Sequence, residues 1–214
     1  MMTTVLLIRH GQSVTNISQV FTGHYDVPLS PLGQEQARRT AAYLHANYRV
    51  DAVYASDLMR AMQTAQPTAE AFGLEIRPDS DLREISAGSW ERMPFTQIER
   101  EYPEVYACWR HDIGRCTCPG GESVAHLFDR VQTAVDRIAA AHPDQTVALF
   151  THATPIRALQ CRWQGGTVLD MRDISFVPNA SVTAAQGENG VYRLIAVGEC
   201  GFLNDLKTSL PDNV

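Results

Sequence analysis

Two kinds of apolar pattern alternate along the chain. In the first, hydrophobic residues run without interruption and then stop. Residues 3 to 9 contain the unbroken run Val5 to Ile8, and "VDAVYAS" (50–56) and "TVALFTH" (146–152) behave alike. Such runs predict strands buried on both faces, as in the middle of a parallel sheet. In the second, apolar residues recur every three to four positions. The clearest case opens at Ser123 and continues through Val124, Leu127, Phe128, Val131, Val135 and Ile138, which predicts an amphipathic helix. Ser30 followed by Pro31 predicts another helix start, running to about Asn47 and burying Ala37, Ala41 and Leu44. Ser56 is the expected cap of a helix beginning at Asp57, with Arg60 in its first turn, and Thr154 with Pro155 repeats the cap-then-proline signal. Weaker strands are expected at 74–77, 180–186 and 191–197. Residues 11–29 and 81–91 read as polar loops, and 94–121, rich in aromatic, proline and charged residues, as a helical insertion or lid.

Strands alternating with helices in this way predict one α/β domain over 1–214, a three-layer sandwich with a mostly parallel central sheet and helices on both faces. In such sheets ligands bind beyond the carboxyl ends of the strands. Composition narrows the function classes. A formal charge of −6 argues against nucleic acid or an anionic membrane as partner, because both select basic surfaces. No apolar run approaches the ~20 residues of a membrane span, so a cytoplasmic location is expected. Five cysteines, an odd number, suit a reducing compartment better than a disulfide framework. Cys108, His111, Cys116 and Cys118 lie close together, but their spacing is not that of a zinc module, and no metal is expected.

The chemistry sits where the strands stop. Arg9 and His10 end the first strand, with Gly11 letting the chain turn. Arg60 begins the helix after the second, and His152 ends the strand near residue 150. Two guanidiniums and helix-start N–H groups make an electropositive well suited to a phosphoryl group, even on an acidic protein. An imidazole kept neutral by neighbouring cations, with one nitrogen fixed by a backbone carbonyl, can attack phosphorus through the other. His10 is placed to do so, with His152 as a cationic partner for the equatorial oxygens. Glu84 is the candidate proton donor, since like charge from a bound phosphate favours the protonated carboxyl that a general acid must present. His24, His45, His111, His126 and His142 are read as structural.

These residues lie in segments that resemble the histidine phosphatase superfamily, the group that includes cofactor-dependent phosphoglycerate mutases. "LLIRHGQSVTN" resembles its RHG signature. The similarity continues through "FTGHYDVPLSPLGQEQA", "VYASDLMRAMQTA", "LREISAGSWE", "PGGES" and "FTHATPIRAL", in family order over nearly the whole chain. The resemblance implies His10 as the phosphorylated nucleophile, Arg9, Arg60 and His152 as the phosphate pocket and Glu84 as the proton donor. It further implies substrate or phosphate contacts at Asn16, Thr22 and Gly23. The loop "LREISAGSWE" is similar to the phosphatase branch rather than to the mutases. The sequence departs from the family pattern at Arg92, where a glycine is usual, and at Ala153, which replaces the glycine after the second histidine. Arg92 is expected as a specificity residue for a second anionic group, and Ala153 as a backbone contact to phosphate.

The expected function is a metal-independent phosphomonoester phosphatase without a cofactor. Its substrate is a small phosphorylated metabolite, and its assembly partner a second copy in a homodimer. The alternatives are a cofactor-dependent phosphoglycerate mutase and a catalytically retired phospho-ligand binding protein. Retention of both histidines, both arginines and Glu84 speaks against the last.

Overall fold

A computed structural model describes residues 2–208, so the ends of the expected 1–214 domain lie outside the described residues. Six strands form one sheet: β1 (Thr3–Arg9), β2 (Ala52–Ala55), β3 (Ile76–Pro78), β4 (Thr146–Thr151), β5 (Val182–Glu188) and β6 (Val191–Glu199). Their order is β3-β2-β4-β1-β5-β6. β1, β4, β2 and β3 are mutually parallel, whereas β5 runs antiparallel to β1 and β6 antiparallel to β5. The mostly parallel sheet is therefore as expected, with an antiparallel pair along one side.

The unbroken apolar strands feed two cores at once. Val5 and Leu7 of β1 face one cluster together with Val147 and Leu149 of β4, whereas Leu6, Ile8, Ala148 and Phe150 face the other. Successive side chains of a strand point to opposite faces, so a strand between two helical layers must be apolar at every position. Leu44 of α2 (Pro31–Asn47) and Ala65 of α3 (Met59–Phe72) cover one face. Leu127 and Val131 of α6 (Val124–Ala140) and Ile156 of α7 (Ala153–Trp163) cover the other. The insertion adds α4 (Phe95–Glu101), α5 (Pro103–His111) and a 3-10 turn over Ile113–Arg115 to this second layer. Among the described residues no helix is long and apolar enough to cross a membrane.

Two helix starts follow the sequence rule. The Ser30 hydroxyl accepts from the Gly33 N–H at 3.0 Å, and the Ser123 hydroxyl from the His126 N–H at 3.1 Å. Two do not. α3 begins at Met59, not Asp57, and its first N–H is met by the Asp26 carboxylate at 2.7 Å. The Ser56 hydroxyl accepts from the Leu58 N–H at 3.3 Å, ahead of the helix, and also bonds to His152 Nε2, 2.8 Å away. α7 begins at Ala153 with His152 in the cap position, so Thr154 and Pro155 lie within its first turn. There a proline costs nothing, because the first N–H groups have no helical partner in any case. The expected loop over 11–29 contains a short helix, α1 (Val14–Ser18), closed by a reciprocal capping box between Ser13 and Asn16.

Gly11 serves close approach rather than turning freedom. A Cβ there would meet the Gly33 carbonyl oxygen at 2.5 Å, and one at Gly33 would meet the Gln12 oxygen at 2.0 Å. The turn after β1 and the first turn of α2 thus touch backbone to backbone, which only glycine permits. This contact seats the residues after β1 against α2.

Candidate active site

β1 and β4 are neighbours in register, with Arg9 beside Thr151, so His10 and His152 leave the sheet together. The His10 N–H donates to the Thr151 carbonyl at 2.9 Å, and the Asn179 side-chain amide donates to the His10 carbonyl at 3.0 Å. The two imidazole centroids are 5.1 Å apart with planes at 61°. β2 flanks β4 on its other side, which brings Ser56 and the start of α3, with Arg60, to the same edge.

His10 Nδ1 lies 2.7 Å from the Gly11 carbonyl oxygen. A carbonyl can only accept, so Nδ1 carries the proton and Nε2 keeps its lone pair. His152 Nε2 is bonded to the Ser56 hydroxyl, and its Nδ1 is buried with no partner among the described residues. Both imidazoles are held well below the ordinary histidine range, first by burial and then by the charge of Arg60. Cationic neighbours were the expected cause for His10, and desolvation proves the larger one. Burial favours the neutral form of His152 in the free site, so its expected role as a cationic partner of a bound phosphoryl group calls for a proton gained on binding.

Arg9 and Arg60 are buried cations that donate to backbone carbonyls. Arg9 Nη1 donates to Val177 at 2.6 Å, while Arg60 donates to Gly23 at 2.8 Å and Tyr25 at 3.2 Å. The Nε of each is buried without a partner among the described residues. Burial pushes both guanidiniums down to about 10, opposed chiefly by the Glu84 charge. Glu84 is itself anchored, one oxygen accepting from the Ile85 N–H at 2.9 Å and the other from the Thr154 N–H at 3.4 Å. The pocket lining carries two buried guanidiniums and one carboxylate, with Asp26 and Glu91 also acting on Arg60, and the orphaned Nε atoms of Arg9 and Arg60 suit an anion.

Arg9, His10, Arg60 and Glu84 line one pocket together with Asn16, Thr22, Gly23 and Ala153. His152 lies just beneath it, fully buried. Arg92 is not brought to this pocket. Its guanidinium stands 5.0 Å from the Tyr25 ring centroid, on a residue with φ of 70°. His24, read as structural, supports the site: its Nε2 lies 2.8 Å from the Glu84 carbonyl oxygen, and its N–H donates to Glu91 at 2.9 Å. Missed from the sequence were Ser56 behind His152 and the apolar wall of Val20, Phe21, Phe95, Trp109 and Phe176. The aromatic richness of 94–121 was a signal for Phe95 and Trp109; nothing marked Phe176.

Among the described residues no group of three His, Cys, Asp or Glu side chains is placed to hold a metal ion. Cys116 and Cys118 are buried thiols, and burial pushes Cys116 up to about 12, far from the thiolate a metal would need.

Burial of neutral histidines makes the free protein acid-sensitive. An unfolded histidine titrates near ~6.5 and the folded ones well below it. Below pH ~6.5 the unfolded chain therefore binds more protons, and stability falls as pH falls, by up to ~1.4 kcal/mol per pH unit for each histidine. An oxyanion that recruits a proton to His152 opposes this loss. Sulfate, a dianion across this range, is expected to raise the melting temperature more at pH 5.5 than at pH 7.5. Calorimetry in buffers of different ionisation enthalpy should show proton uptake on binding. A pH-independent stabilisation would contradict this assignment.

Comparison with known proteins gives the same picture. The family model described as the histidine phosphatase superfamily (branch 1) matches residues 5–199. A phosphoglycerate mutase-like protein of Arabidopsis thaliana is 36% identical over 157 residues, covering 72% of this chain and 68% of the relative. Phosphoserine phosphatase 1 of Hydrogenobacter thermophilus is 32% identical over 164 residues, 77% of each chain. The structure of a mycobacterial glucosyl-3-phosphoglycerate phosphatase superposes with a TM-score of 0.85 at 29% identity, covering 94% of this chain and all of that one. Against a bifunctional protein of Mycobacterium tuberculosis, 35% identical over 157 residues, the match spans 43% of the relative's length.

Proposed function

The chain belongs to the histidine phosphatase superfamily, and we propose that it is a phosphomonoester phosphatase working through a phosphohistidine on His10. The observation that carries this reading is the tautomer of His10. With Nδ1–H committed to the Gly11 carbonyl, the free Nε2 belongs to a side chain lining a pocket that also presents Arg9 and Arg60. The relatives named as phosphatases support hydrolysis of phosphate esters.

In the first step His10 Nε2 forms a bond to phosphorus while the ester P–O bond breaks, and Glu84 gives its proton to the leaving oxygen. Arg9 and Arg60 meet the charge on the equatorial oxygens, joined by His152 once the phosphoryl group has raised its proton affinity. In the second step water attacks phosphorus, the N–P bond breaks, and the Glu84 carboxylate takes the water proton. Phosphate leaves, and His10 and Glu84 return to their starting states. The reading calls on no metal because the two guanidiniums supply the positive charge.

The test is phosphate release from p-nitrophenyl phosphate with a chelator present, combined with rapid quenching of protein turning over a phosphorus-labelled ester. The expected label is stable to alkali and lost in acid, the behaviour of a phosphohistidine. Release without any such label, or no release at all, would overturn the proposal.

A further inference from the structure

The pocket that takes the phosphoryl group has a second wall of different chemistry. Its charged lining consists of Arg9, His10, Arg60 and Glu84 alone among the described residues, and all four are engaged with the phosphoryl group. Beyond them the wall is Val20, Phe21, Phe95, Trp109 and Phe176, with neutral threonine, asparagine and glutamine side chains between. We propose that the alcohol portion of the substrate is uncharged and carries a flat apolar group that packs on this aromatic wall. The inference rests on the phosphatase reading and names the substrate class for it.

The wall is rigid. The Phe21 ring centroid lies 5.1 Å from Trp109 and 5.8 Å from Phe95, both edge-on. The Phe176 ring is fixed by the Arg157 guanidinium, 4.5 Å from its centroid. Edge-on aromatic packing of this kind presents ring faces and edges to a planar ligand without loss of side-chain freedom on binding.

Arg9 and Arg60 are the cations lining this pocket among the described residues, and Arg110, Arg157 and Arg172 line a separate pocket that shares Trp109 and Phe176 with the wall. Arg157 Nε donates to the Met171 carbonyl at 2.9 Å while its guanidinium packs on Phe176. Arg83 grips Asp57 at 2.5 Å, and Arg92 stands over Tyr25. Within this pocket a carboxylate or second phosphate on the leaving alcohol would lose its water against hydrocarbon with no lining cation beyond Arg9 and Arg60 to receive it, and an ammonium would find only Glu84, which the proton transfer requires. Unpaired burial of such groups is strongly unfavourable. The second anionic group anticipated for Arg92 therefore has no receptor in this pocket.

The experiment compares four alkyl phosphates of similar leaving ability: 2-phenylethyl phosphate, glycerol 2-phosphate, 3-phosphoglycerate and phosphoserine. Burial of a phenyl ring corresponds to roughly 30- to 100-fold in kcat/KM, so 2-phenylethyl phosphate is expected to lead glycerol 2-phosphate by about that factor and the two charged esters by more. Phe95 is the aromatic member of the wall that is only half buried, so Phe95→Ser is the aromatic deletion that best preserves the fold. It should shrink the ratio between phenylethyl and glycerol esters about tenfold, mainly through KM, with the melting temperature measured alongside. If 3-phosphoglycerate or phosphoserine were hydrolysed as well as the phenylethyl ester, or if Phe95→Ser left the ratio intact, the inference would be overturned while the phosphatase reading stood. If none of the four released phosphate while p-nitrophenyl phosphate did, the inference would be overturned and the phosphatase reading would stand; if p-nitrophenyl phosphate released none either, the phosphatase reading itself would fall.

Discussion

His10→Ala is expected to lower kcat on every phosphomonoester by ~10⁴-fold or more, because it removes the atom that attacks phosphorus, and nucleophile deletions in covalent catalysis have losses of this order. The pocket should survive the change. Arg9 and Arg60 are held by the carbonyls of Val177, Gly23 and Tyr25, none of which depends on the imidazole. The variant should therefore still bind vanadate or phosphate, and titration calorimetry would record it. Loss of one Nδ1–H bond to Gly11 is worth only ~1 kcal/mol, so the melting temperature should move by a few degrees. Residual activity above a few per cent of wild type would show that another group forms the intermediate.

Glu84→Gln separates proton transfer from binding. The amide keeps the size and the acceptor oxygen that meets the Ile85 or Thr154 N–H, but cannot give up a proton as an acid. General acid catalysis is worth ~10²–10⁴-fold, and it matters most when the leaving alkoxide is basic. The expected result is a loss of about a thousandfold on 2-phenylethyl phosphate and a far smaller one on p-nitrophenyl phosphate. Equal losses on both esters would remove Glu84 from the acid role. A gain in oxyanion affinity should accompany the change, because the carboxylate's repulsion of the phosphate is removed while Arg9 and Arg60 stay.

Much of this site was legible before any coordinates. Unbroken apolar runs ending at Arg9 and at Thr151 identify strands of a parallel sheet, and the sheet's carboxyl edge is where side chains are free to meet a ligand. Where local rules failed, the site had overridden them. Ser56 and Thr154 have the residue types of helix caps, yet Ser56 shares its hydroxyl between the Leu58 N–H and His152, and the Thr154 N–H meets Glu84 inside the first turn of α7. A cap contributes ~1 kcal/mol, and a buried imidazole left without a partner costs as much or more, so the tertiary demand prevails.

Periodicity and strand ends are local properties of the chain, so they reveal the layers and the edge at which chemistry is expected and mark Arg9, His10 and His152 there, whereas the acid role proposed for Glu84 comes mainly from the family resemblance. The tertiary structure is needed for the burial that lowers the proton affinity of His10 and His152, since desolvation is set by everything packed around a group. It also decided what lies opposite the phosphoryl group. Phe21, Phe95, Trp109 and Phe176 come from segments far apart in sequence and converge on one wall, and the direction of a side chain is fixed by its neighbours in space rather than by its neighbours along the chain.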